Sequence, residues 1–141
     1  FVIPLHQSPI TSHQSLLKIG GRIDRVDRLR DGGIEIIDYK SGANVPTQKA
    51  VDHNLQLTFY ALAGATIPED PFGKNLQDIR LSLYYFDSMS KITTTRTKEQ
   101  LDAAVIEIFK VREEIEKSDF RCSGHMFCEN CEYSLLCRAD S

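Results

Sequence analysis

The chain has 141 residues, 41% of them apolar and 26% charged, with a net charge of −3. That length buries roughly two-thirds of the surface of the unfolded chain and suits one soluble domain. No apolar run approaches the ~20 residues that span a bilayer, which excludes a membrane helix, and the acidic balance excludes a surface wholly given to nucleic acid while leaving room for a local basic groove. The start on Phe1, with no initiator methionine and no basic-plus-apolar leader, is expected of a fragment of something longer.

The first predicted element is the strand "FVIPL", which Pro4 confines to an edge or a strand start because proline donates no ladder hydrogen bond. "HQSPITSHQS" reads as a polar turn region. Leu16 to Leu29 and Ile34 to Lys40 are both strand-like, and Asp31-Gly32-Gly33 between them signals a β-hairpin, since glycine tolerates positive φ. Val51 to Gly64 carries Leu55, Phe59, Leu62 and Ala63 at helical spacing and ends on a glycine suited to a helix C′ position. "DIRLSLYYFDS" and "KITTTRT" read as two more strands, an antiparallel pair turning near Ser88 to Ser90. From Thr97 the period becomes helical: Thr97 and Gln100 have capping-box spacing, and Leu101, Ala104, Val105, Ile108, Val111 and Ile115 form one apolar stripe. Beyond Ser118 the chain is a cysteine-bearing tail without the period of a packed helix until Tyr133 to Cys137.

The hairpin holds four aspartates, Asp24, Asp27, Asp31 and Asp38, together with Glu35 and Lys40. Strand side chains alternate, so Asp38 and Lys40 share one face and Glu35, Ile37 and Tyr39 take the other. Ile34 and Ile36 precede Asp38 on its face, so the strand begins in the core and turns polar at its C-terminal end, where clefts open. Asp24 and Asp27 must face opposite ways. A three-residue loop at Asp31-Gly32-Gly33 sets Arg30 opposite Ile34 and Asp24 opposite Lys40, diagonal to Asp38; a two-residue Gly32-Gly33 loop brings Asp27 to Asp38 instead. A bulge would reverse the parity, so spacing alone leaves both open. Two carboxylates beside a lysine suit a hard cation bound through oxygen, with the lysine free to face a phosphodiester. The competing reading is a charged hairpin in which Asp24 and Asp27 pair with Arg22, Arg25 or Arg28 on the surface.

"GGRIDRVD", a glycine turn, "IIDYKSG" and then "LQLTFYAL" together resemble the RecB-type branch of the PD-(D/E)XK nuclease superfamily, from Leu16 to Cys137. The resemblance implies an α/β (α+β) fold with a restriction-endonuclease-like core, a central mixed sheet flanked by helices. It implies Asp24 and Asp38 as ligands of magnesium or manganese, the backbone carbonyl of Tyr39 as a further ligand, and Lys40 as the catalytic lysine. The family's Gln-x-x-x-Tyr corresponds to Gln56 and Tyr60, four apart on one helix face that borders the active site. Such nucleases carry an N-terminal helix with a histidine or glutamate that completes the metal site, and His6 and His13 lie in the wrong kind of segment to replace it. The expected organisation is therefore residues 1–117 as a nuclease core without that helix, and 118–141 as a cysteine tail packed on it.

Cys122-x5-Cys128-x2-Cys131-x5-Cys137 gathers every cysteine of the chain, unlike the dispersed pattern of a secreted disulfide framework, and supplies enough thiolates for one metal or cluster. Cys128, Cys131 and Cys137 match the Cys-x2-Cys-x5-Cys ending of RecB-like nucleases of the AddB and CRISPR-associated kinds, which implies a four-iron four-sulfur cluster with Cys122 in place of a distant fourth ligand. Zinc is the alternative, with His125 nearby. The expected protein is a magnesium- or manganese-dependent deoxyribonuclease of recombination, repair or defence, acting in a prokaryotic cytoplasm on single-stranded or end-containing DNA beside a helicase domain or subunit. The second reading is a non-catalytic DNA-binding or scaffolding module of a helicase-nuclease complex.

Overall fold

The computed structural model describes residues 1–6, 16–118 and 132. The "HQSPITSHQS" turn from residue 7 onward, His13, His125 and all four cysteines lie outside those residues. The chain divides into two compact units, Phe1–Glu107 and Ile108–Ser141.

The first unit contains strands β1 (Val2–His6), β2 (Leu16–Gly20), β3 (Arg25–Arg28), β4 (Ile34–Lys40), β5 (Ile79–Tyr85) and β6 (Ser90–Thr94), with helices α1 (Gln48–Asp52) and α2 (Leu55–Thr66) between β4 and β5. β1 and β2 form a two-stranded antiparallel sheet, so both strands are edges and Pro4 costs no ladder bond. β3 to β6 form one mixed sheet in the order β3-β4-β5-β6, in which only the β4–β5 pair is parallel. The helices between β4 and β5 supply the long crossover that a parallel pair requires.

Register explains the core. Ile34 pairs with Ile79, Ile36 with Leu81 and Asp38 with Leu83, which puts these residues on one face. The apolar members are fully buried, with Leu57 and Ala63 of α2. Gly64 lies inside α2, not past its end as the spacing predicts. A Cβ there would meet Ile79 Cδ1 at 3.0 Å and Ile36 Cδ1 at 3.4 Å, so its smallness seats the helix on the sheet. On the opposite face the Glu35 carboxylate is buried, 2.5 Å from Ser82 Oγ and 2.9 Å from Lys91 Nζ. Burial pushes its pKa up, but those two partners outweigh burial and hold it below the usual carboxylate range.

Three predicted elements are divided or shifted. The Leu16–Leu29 strand breaks at residues 21–24, where the chain leaves β1 for β4. The Val51–Gly64 helix is two helices, because Asn54 adopts an extended backbone (φ −69°, ψ 118°) and its side chain caps α2 by accepting from Leu57 N–H. The hairpin loop is Arg30-Asp31-Gly32, one residue earlier than predicted. Leu29 N–H donates to Gly33 O (2.9 Å) and Gly32 takes φ +86°. Asp31 Oδ1 accepts from Gly33 N–H. Gly33 is needed for space: a Cβ there would lie 2.5 Å from the Asp78 carbonyl oxygen.

α3 (Lys98–Lys117) begins in the first unit with the predicted capping box complete: Thr97 N–H donates to Gln100 Oε1 (2.9 Å), and Gln100 N–H to Thr97 Oγ1 (3.3 Å). Leu101 is buried. Of the second unit, the described residues are 108–118 and 132. There the helix carries i,i+4 pairs Arg112–Glu116 and Lys117–Glu113, and Val111 and Ile115 of the predicted stripe are 43% and 54% exposed. No described helix is long and apolar enough to cross a membrane.

Candidate active site

The hairpin and the first turn of α2 build the site between them. Arg25 pairs with Ile37 and Arg28 with Ile34, so continuing β3 backward by one residue sets Asp24 level with Asp38, not with Lys40. The loop moved, yet it keeps three residues and therefore the parity that puts Asp24 on the Asp38 side. Asp24 Oδ2 accepts the Tyr39 N–H at 3.0 Å, which fixes this exposed carboxylate beside the residue between Asp38 and Lys40. Asp27 faces the other way, opposite Glu35, and pairs with Arg25 Nε at 2.7 Å. Asp31 serves the turn and pairs with Arg80. The surface-pairing reading thus fits Asp27 and not Asp24.

Asp38 is only 4% exposed. Its Oδ1 accepts from Gln56 Nε2 at 2.9 Å and lies 3.0 Å from the Tyr60 hydroxyl. That hydroxyl is also 2.9 Å from the Arg22 carbonyl, so its single proton serves one acceptor at a time, while Gln56 Nε2 donates to it at 2.8 Å. Gln56 Oε1 accepts from Lys40 Nζ at 2.9 Å. The amide orientation follows from these partners: its NH2 faces a carboxylate and a hydroxyl, its oxygen an ammonium. Burial, then the Asp38 carboxylate, push the Tyr60 phenol up to about 12, so it is a neutral donor at any physiological pH.

Asp38 Oδ2 is different. Lys40 Nζ stands 2.7 Å away, but this buried oxygen takes no hydrogen bond among the described residues. The ammonium thus compensates this oxygen as a charge contact and not as an aligned hydrogen bond, which leaves Oδ2 the carboxylate oxygen with coordination to spare for a second cation. Among the described residues no three or more His, Cys, Asp or Glu side chains form a cluster that could hold a metal. Asp24 and Asp38 offer two carboxylates, and the Tyr39 backbone follows Asp38 directly in the chain. That oxygen-only, incomplete set fits a hard ion such as magnesium, which keeps several waters and takes one or two carboxylates, and it does not fit soft or closed-site metals. An open groove of about 480 Å³ borders Asp24 and is lined by Arg22, Ile23, Glu69, Asp70 and Phe72 among others.

Of the five side chains expected as one constellation, Asp38, Lys40, Gln56 and Tyr60 form one bonded cluster, and Asp24 joins the same strand end through the Tyr39 N–H alone among its described bonds. Sequence reasoning missed Arg96, buried behind α1 and α2, and the Arg22 carbonyl. Neither has a spacing signal, since a lone arginine after a strand reads as surface and a carbonyl belongs to no residue type.

Two relatives share this segment. Each is by name a subunit of an ATP-dependent helicase/deoxyribonuclease, from Streptococcus equi subsp. zooepidemicus strains MGCS10565 and H70, and each is 29% identical over 120 residues, 82% of this chain. The chain spans only 11% of the length of either. The family pattern of the PD-(D/E)XK nuclease superfamily matches residues 3–138, nearly the whole chain and every side chain of the cluster around Asp38, and the chain belongs to that superfamily.

Proposed function

We propose that this chain is a magnesium- or manganese-dependent deoxyribonuclease domain that hydrolyses phosphodiester bonds at the Asp24, Asp38 and Lys40 cluster. The observation that carries the reading is Asp38 Oδ2, buried, without a hydrogen bond among the described residues, and facing Lys40. Asp24 and Asp38, with the Tyr39 carbonyl, would hold the cation. When bound, it would lower the pKa of a water and neutralise charge on the phosphoryl oxygens.

The chain's own groups do the rest. Lys40, one-third exposed and held by Gln56 Oε1, presents its ammonium at the strand end, where it orients water or stabilises the charge developing on phosphate. Gln56 and Tyr60 hold Asp38 Oδ1, so that Oδ2, which faces the Lys40 ammonium at 2.7 Å, is the oxygen that would take the cation. This division of the two carboxylate oxygens is what preorganises the site.

The name that both relatives carry pairs a helicase with a deoxyribonuclease, which supports DNA as substrate and a helicase domain or subunit as partner. Single-stranded or end-containing DNA is the proposed form. For the tail, Cys122, Cys128, Cys131 and Cys137 are proposed to hold a four-iron four-sulfur cluster as a staple apart from the chemistry. Iron and acid-labile sulfide in anaerobically purified protein support that, and stoichiometric zinc without them replaces it.

The test is cleavage of end-labelled single-stranded and duplex DNA in magnesium, in manganese and in EDTA. Metal-dependent cutting that Asp38→Ala and Lys40→Ala both abolish, in variants that still melt cooperatively, is the expected result. DNA binding without cutting makes the chain a non-catalytic module, and cutting that survives both substitutions moves the active site elsewhere.

A further inference from the structure

Arg96 is 5% exposed, and all five of its guanidinium hydrogens have acceptors on three chain segments. Nε donates to Thr58 Oγ1 at 2.9 Å. Nη1 donates to Thr94 Oγ1 (3.1 Å) and Thr95 O (2.8 Å), and Nη2 to Val51 O and Asn54 O, each at 3.0 Å. Each direct acceptor is a neutral oxygen, and the opposing charge stands one bond further off, on the Asp52 carboxylate that accepts from Thr94 Oγ1 at 2.8 Å. That arrangement is expensive and repays itself only by fixing what it touches.

Two of the bonded atoms bracket the first turn of α2. Asn54 is the N-cap of α2 and Thr58 lies one turn on; Gln56 stands between them. Asn54 O also accepts from Thr58 N–H (3.2 Å) and Thr58 Oγ1 (3.1 Å), so Arg96 clamps the two ends of the turn that are already joined. The first turn is the part of a helix least held by its own ladder, since its leading N–H groups have no intrahelical acceptor. Gln56 must nevertheless reach Lys40, Asp38 and Tyr60 at once, each within 2.9 Å.

We propose that Arg96 is a positioning residue for the site: by bonding Asn54 O and Thr58 Oγ1 on either side of Gln56, it sets the placement of the Gln56 amide between Lys40 and Asp38. Its connection to catalysis rests on the nuclease reading above; the placement of Gln56 does not. Lysine cannot replace it, because three donors on one tetrahedral centre lack the planar fork that spans these segments.

The test follows the Gln56 side-chain amide in 1H–15N spectra of the metal-free chain. In the wild type both amide hydrogens are held, which displaces the pair from the position of exposed glutamines. In Arg96→Lys the Gln56 pair is expected to move toward that position while the backbone signals of Ile36, Leu81 and Leu83 stay. Thr58→Val, near-isosteric and lacking only the hydroxyl, shifts it the same way to a lesser extent, and decides the matter if Arg96→Lys does not fold. An unmoved Gln56 pair overturns the proposal, as does a Thr58→Val spectrum in which helix and sheet signals broaden alike. Where the wild type cuts DNA, Arg96→Lys lowers kcat by about 100-fold, the cost of a 1 Å misplacement, and adds no further loss in a Gln56→Ala background. Additive losses overturn it. A wild type that does not cut removes the proposed function and leaves the Gln56 spectra to judge Arg96.

Discussion

Replacing Lys40 with methionine keeps the aliphatic stem and deletes the one cation within ion-pair distance of Asp38 among the described residues. Asp38 is 4% exposed, the Lys40 side chain is 34% exposed, and Nζ lies 2.7 Å from Oδ2. Exposed ion pairs are worth ~0–1 kcal/mol, and breaking a fully buried pair costs ~3–5 kcal/mol. A buried carboxylate with a partly wetted ammonium lies between, at about 2 kcal/mol. Urea unfolding in EDTA measures this as a midpoint lower by about 1 M, given a slope of ~1–3 kcal/mol/M for a small domain. Divalent metal should then reverse the loss, because a cation at Asp38 supplies the charge that Lys40 gave. At about 100 times its dissociation constant it returns about 2.7 kcal/mol. The gain should be larger in the variant than in the wild type, where the ammonium opposes the metal. A Lys40→Met protein as stable as the wild type in EDTA and indifferent to metal would refute the reasoning.

Tyr60→Phe tests the phenol through pH. A folded pKa of about 12 against an unfolded value near 10 means the folded state binds the proton more tightly. Its stabilisation is complete below pH ~10 and is lost as pH rises toward 12, at up to about 1.4 kcal/mol per unit. Stability curves of wild type and Tyr60→Phe should converge over that window, and parallel curves would contradict the shift. Gly33→Ala forces a methyl to 2.5 Å from the Asp78 carbonyl oxygen and should cost ~1–3 kcal/mol in the same urea assay, although φ at that position is unexceptional. An unchanged midpoint would show that the Asp78 loop yields freely.

The sequence discloses most of this site because its logic is short-range. Asp38 and Lys40 share a face through strand parity alone, and Gln56 and Tyr60 through one helical turn, so both pairs are legible in the spacing. The choice of Asp24 over Asp27 is less local: it depends on loop length, and the loop forms one residue early because Gly33 is needed against Asp78, a contact that no neighbouring residue announces. The break at His53 and Asn54 is hidden for a similar reason. Apolar period carries across it, and although the Asn54 cap on Leu57 N–H is local, the Arg96 bond that holds Asn54 in place comes from 42 residues away. Chain-order reading sees elements and their faces. It does not see which buried donor ties two of them together.

The most direct measurement of the central claim is a manganese titration of the chain followed by paramagnetic broadening of backbone amide signals. The expected result is broadening centred on Asp24, Asp38, Tyr39 and Lys40, abolished by Asp38→Ala. Broadening centred elsewhere, or unchanged in Asp38→Ala, would contradict a metal site at the end of β4.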